Sequence, residues 1–97
     1  MEIYELISKV EQLQDKLDAR FQRKSDAVFF FVDLVEEVGE LADVIRAREF
    51  YKKSPKEHLE SELADVFYDL VGIARCYGIT LENAVLNRLA DLERRFL

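Results

Sequence analysis

Three observations predict an all-α chain of four helices. Apolar residues recur at three- and four-residue spacing along nearly its whole length. Glycine and proline, which punctuate turns, number only three and one in 97 residues. No segment alternates apolar and polar residues as a strand would. The first helix is expected from about Glu2 to Arg23, with Ile3, Leu6, Ile7, Val10, Leu13 and Leu17 on one face. Ser25 or Asp26 can cap a second helix that continues to about Phe50. The segment Lys52-Lys53-Ser54-Pro55 breaks the pattern; Ser54, Pro55 and Glu57 then read as N-cap, first-turn proline and the far half of a capping box. A third helix follows to about Tyr77, and Gly78 is expected to end it in the left-handed conformation. Thr80 caps the fourth, which runs to about Phe96. A chain of this length makes one domain, 1–97.

Composition bounds the function. The chain is 49% hydrophobic and 35% charged, as in folded soluble proteins. A net charge of −6 gives no basic footprint for nucleic acid or an anionic membrane. The apolar run 27–32 is too short to span a bilayer, and Met1-Glu2-Ile3-Tyr4-Glu5 does not resemble a secretory leader. A single cysteine, Cys76, fits a reducing cytoplasm. Phe29, Phe30 and Phe31 in succession span roughly 200° of the second helix. That is wider than one packing stripe, so this helix is expected to be buried on several sides, across a homodimer or homotetramer interface.

Two acidic motifs stand on the second and third helices. The first is Glu36-Glu37-Val38-Gly39-Glu40; the second is Glu62-Leu63-Ala64-Asp65. Acids three apart lie on one side of a helix, one turn apart. Asp33, Glu37 and Glu40 form one stripe, and His58, Glu62, Asp65, Asp69 and Cys76 another. Both stripes border apolar residues, and 29–45 and 58–74 contain no lysine or arginine. Two such carboxylates about 4 Å apart repel by roughly 4 kcal/mol at an effective dielectric near 20. A hard divalent cation such as Mg²⁺ or Mn²⁺ relieves that cost.

These motifs resemble those of the MazG-like, all-α nucleotide pyrophosphohydrolases, whose pattern is EExxE followed by ExxD. Here the two are separated by 21 residues. The stretches LVEEVGELADVI and ELADVFYDLVGIARCYGITLENAV and the ending ERRF carry the likeness over about Asp33 to Phe96. The resemblance implies hydrolysis of a nucleoside triphosphate to its monophosphate and pyrophosphate, with Mg²⁺ (or Mn²⁺) as cofactor. Carried over residue by residue, it makes Glu37, Glu40, Glu62 and Asp65 metal ligands. Glu36 becomes an outer ligand or orients the attacking water, and Arg95 contacts substrate. Many relatives place an asparagine and a lysine shortly before the ERRF-like ending; Leu89 and Asp91 stand there in this chain, and Arg88 partly replaces the missing cation. Asp69 receives no role from the resemblance.

Two alternatives accompany this reading. The phosphoribosyl-ATP pyrophosphatases share the ExxD helix, and Asp65–Leu70 resembles their DLLYHLL segment. The acids could instead form a docking face of a non-enzymatic helical module. His58 is expected to be simply exposed, and Lys52, Lys53 and Lys56 to be a solvated loop. Arg20, Arg23 and Lys24 suit a helix C-terminus. Phe21, Phe30 and Phe50 are candidates for base stacking, with core packing the expectation for each.

Overall fold

A computed structural model describes residues 1–52 and 56–97, with side chains described except at 56 and 57. Four α-helices follow one another: α1 Ile3–Arg20, α2 Ala27–Arg46, α3 Lys56–Cys76 and α4 Leu81–Phe96. No strand occurs among the described residues.

Local chemistry sets the boundaries. At the start of α1, the Glu2 backbone N–H donates to Glu5 Oε1 at 3.4 Å. The helix stops at Arg20, three residues before the expected Arg23, because Gln22 adopts a left-handed φ of 51°. Asp18 gathers the turn that follows. Its carboxylate accepts from the Ser25 hydroxyl at 2.7 Å, the Ser25 N–H at 2.9 Å and Arg23 Nε at 3.3 Å. The Ser25 bonds, and then Arg23, hold the Asp18 carboxyl below its ordinary range. With Ser25 so engaged, Asp26 is the cap of α2 and accepts from Phe29 N–H at 2.8 Å.

Beyond Arg46 the chain widens into a π-helical turn, Ala47–Tyr51, which Lys52 ends at a left-handed φ of 53°. The expected capping by Ser54, Pro55 and Glu57, and the side chains of Lys53 and Lys56, lie outside the described residues. Gly78 ends α3 as expected, at φ 66°, while Ile79 N–H reaches back to the Ala74 carbonyl at 2.9 Å. Thr80 precedes α4 in extended conformation, but its side chain makes no capping hydrogen bond. The Thr80 expectation therefore holds for position and not for mechanism.

The main packing surface joins α2 to α3. Phe30, only 4% exposed, lies against the α3 backbone at Gly72, where a Cβ would fall 2.5 Å from the ring. Phe29 meets Phe30 edge-on at 5.5 Å, and Tyr68 lies tilted to it at 6.4 Å. Polar contacts tie α1 to α3. Buried Gln14 donates to the Tyr68 carbonyl at 3.0 Å, and Arg75 pairs with Asp15 at 2.9 Å while also donating to the Glu11 carbonyl.

The core is thin. Its buried apolar side chains among the described residues are Phe30, Val71 and Ala74. Phe29 and Phe31 remain 40% and 58% exposed, so within one chain α2 is not buried on several sides; α3 covers one face only. The radius of gyration is 15.8 Å, against about 12.5 Å for a compact chain of this length. The accessible surface is 7527 Å², against roughly 5,800 Å² for a typical monomer of this mass. The first two turns of α4, with Ile3, Ile7, Phe67 and Leu70, frame an open apolar groove of about 340 Å³.

Candidate metal centre and cleft

The α2–α3 interface brings the two acidic motifs together. One carboxylate oxygen each from Glu37, Glu40 and Glu62 lie within 4.8 Å of one another. Glu37 and Glu62 are half-buried, and Glu40 is exposed. Glu37 Oε2 and Glu62 Oε2 are sealed from solvent without a hydrogen-bond partner among the described residues. Burial, and then the hydrogen-bonding contact with Glu62, push the Glu37 carboxyl up to about 8. The charge of Glu62 raises Glu40 as well. Like charges repel at this range, so the carboxylates stay together only if a proton or a cation intervenes. A compact, all-oxygen set with orphaned lone pairs fits a hard divalent cation.

The other expected site residues lie at different distances from this cluster. Asp65 stands outside the 4.8 Å group, although its charge raises both Glu37 and Glu40. Glu36 is exposed on α2. Arg88 Nη1 pairs with Asp91 at 2.6 Å, and Arg95 and Arg94 join the same carboxylate at 3.6 and 2.8 Å. The acid at the position of the relatives' lysine is thus neutralised by its own helix. His58 is exposed, as expected; Cys76, at the end of α3 where a small packing residue is expected, is exposed instead.

A cleft of about 500 Å³ opens beside the carboxylates. Glu37 and Asp65 line one part of it, and Asp33, Phe29, Tyr68, Leu13, Leu17 and Arg23 the rest. Arg23 is fixed with its guanidinium 4.8 Å from the Phe29 ring and 5.2 Å from that of Phe21. Sequence reasoning missed this wall. Phe29, not Phe21, Phe30 or Phe50, faces the cleft. Phe30 is core, and Phe21 and Phe50 are 59% and 76% exposed, against the expectation of core packing. Arg23 had the signal of a helix-ending cation, and only the left-handed turn at Gln22 carries it back toward Phe29.

Known proteins share part of this sequence. A 33% identity over 73 residues links this chain to "Uncharacterized protein YvdC" of Bacillus subtilis (strain 168), covering 65% of this chain and 69% of that protein. The MazG nucleotide pyrophosphohydrolase domain matches residues 31–96, a span that holds both acidic motifs and all of α4. That is well over half of the chain, and the protein therefore belongs to the MazG nucleotide pyrophosphohydrolase family.

Proposed function

We propose that residues 1–97 form one catalytic domain that hydrolyses a nucleoside triphosphate between its α and β phosphates, releasing monophosphate and pyrophosphate. The observation that carries this reading is the convergence of Glu37, Glu40 and Glu62 within 4.8 Å beside a cleft of nucleotide size. These three, joined by Asp65, would hold Mg²⁺, with Mn²⁺ as a substitute. When bound, the ion supplies charge neutralisation at the phosphates and a lowered proton affinity for water. The chain's own residues do the rest. Glu37 and Glu62 fix the site through oxygens already withdrawn from solvent. Glu36, one residue from Glu37, orients the attacking water. Arg88 and Arg95 are the phosphate-contacting cations of this reading. Neither lines the cleft of its own chain, so they would act across an oligomer interface.

Assembly as a homodimer or homotetramer belongs to the same proposal. The surface excess over a compact monomer, roughly 1,700 Å² by the scaling above, matches what an obligate interface buries from each partner. Among the described residues no helix is long and apolar enough to cross a membrane, and a reducing cytoplasm is the compartment proposed for the free Cys76.

The test is direct. The purified protein is incubated with ribo-, deoxy- and damaged nucleoside triphosphates and with phosphoribosyl-ATP, with and without Mg²⁺ or Mn²⁺, and pyrophosphate release is followed. Metal-dependent release that Glu62→Gln abolishes supports the proposal. Turnover of phosphoribosyl-ATP alone reassigns the substrate. No release from any of them, and no thermal shift with metal, leaves an acidic docking module.

A further inference from the structure

The cleft continues from the acidic cluster along α2. Asp33 stands about one turn before Glu37, and Phe29 one turn before Asp33, so the three rise at intervals of about 6 Å. All three line the cleft. About 12 Å separates the Glu37 and Phe29 levels, enough for phosphates at one end and a base at the other.

Asp69 stands behind Asp33. It is 0% exposed, and neither of its carboxylate oxygens has a hydrogen-bond partner among the described donors. The other buried side chains described on α3 are Val71 and Ala74, so packing alone gives no reason for an acid here, and burying one is costly. Burial, and then the contact with Asp33, raise the Asp69 carboxyl to about 7. Two carboxyls in such contact share one proton. The fully buried Asp69, whose carboxyl is the raised one, faces the half-buried Asp33 with that proton. Asp33 thus stands, with the buried acid behind it, as an oxygen acceptor at the wall of the cleft.

We propose that Asp33, positioned by Asp69, selects the base of the substrate, and that it selects a guanine-type edge with two adjacent N–H donors. This rests on the pyrophosphohydrolase reading of the site. A carboxylate offers only acceptors. Guanine presents its ring N–H and its amino group side by side, matching both oxygens. Uracil and thymine flank their single N–H with two carbonyl oxygens, which repel a carboxylate. Adenine and cytosine set one amino group beside a bare ring acceptor. Phe29 and Tyr68 supply the aromatic faces against which a base stacks.

Binding of the α,β-methylene analogues of GTP, CTP, ATP and UTP, measured by calorimetry with Mg²⁺, tests this without requiring cleavage. The guanine analogue should bind roughly 10–100-fold tighter than the uracil one. Asp33→Asn should bring the two within a few-fold. Asp69→Asn, whose amide still donates to Asp33, should keep the preference, and Asp69→Leu should lose it; circular dichroism confirms that each variant is folded. A preference for another base, an unchanged ranking in Asp33→Asn, or no binding of any analogue overturns the proposal. In parallel, hydrolysis of the four parent triphosphates is followed. Hydrolysis without base preference refutes base selection alone. Asp33-dependent guanine binding without hydrolysis refutes the pyrophosphohydrolase reading and leaves the base site standing.

Discussion

Gly72→Ala probes the contact that sets the distance between the two acidic helices. A Cβ at this position falls 2.5 Å from Phe30 Cδ1 and 2.6 Å from Cε1 and Cγ, whereas ordinary contact begins at 3.4 Å. The ring or the helix must therefore retreat by about 1 Å, a distance too large to absorb silently in a packed interior. Because Cγ is among the crowded atoms, rotating the ring about its own axis does not clear the methyl group. Overpacking of this kind costs about 1–3 kcal/mol. Alanine's better helix propensity returns up to about 1 kcal/mol, so a net loss of roughly 1–2 kcal/mol is expected. For a domain of this size that lowers the melting temperature by roughly 5–15 °C. The assay is urea denaturation followed by helical circular dichroism at one fixed protein concentration, with Gly72→Ala/Phe30→Leu closing a double-mutant cycle. The double variant should recover part of the loss, since leucine frees the space. Metal affinity should fall with Gly72→Ala, because Glu37 and Glu62 move apart with their helices. A Gly72→Ala protein as stable as the parent, or a double variant with purely additive losses, would falsify the interlock.

Further outcomes follow from the same geometry. In chelator, stability should fall as pH rises from about 4.5 to about 8. The native Glu37 holds its proton to about 8, while the unfolded chain releases it near the ordinary 4.5, so the native state binds more protons in that window. Asp69, raised to about 7 by burial and Asp33, adds to the slope. Mg²⁺ should restore stability most at the upper end, and Glu37→Gln should flatten the curve; thermal melts across this range check the sign, and a rising profile contradicts it. Asp26→Ala removes the 2.8 Å cap on Phe29 N–H and should cost about 1 kcal/mol, read from the urea midpoint. Gly39, in mid-α2 with nothing within 4 Å of a Cβ, gives the opposite expectation: alanine should add about 0.5–1 kcal/mol. A loss there, accompanied by a smaller particle in sedimentation, would show instead that a second copy packs against that face.

The sequence makes the four helices legible because their apolar spacing is regular and their ends carry recognisable caps. The early stop of α1 was hidden because glutamine, not glycine, takes the left-handed turn at Gln22. The pairing of Glu37 and Glu40 with Glu62 was readable from two motifs at one-turn spacing. The separation of Asp65 from that trio was not, since it depends on how α3 is rotated against α2. Phe29 and Phe30 differ by one position and about 100°, and that angle alone sends one ring to the cleft and the other to the core. The remaining cleft wall draws on α1, the Arg23 turn and α3, elements joined only by tertiary packing.

The fastening of α1 has a consequence for exchange with solvent. Leu13 and Leu17 on this helix form part of the cleft wall, yet α1 is held to α3 by directional bonds at Gln14 and Arg75, while the Phe30–Gly72 interlock joins only α2 and α3. Breaking those few bonds lets α1 lift as a unit without parting the acidic helices. Its amides should then exchange hydrogen through a local opening of lower free energy than global unfolding. A nucleotide spanning the cleft would slow α1 selectively, so deuterium uptake in this first helix would report occupancy even before any bond is cut.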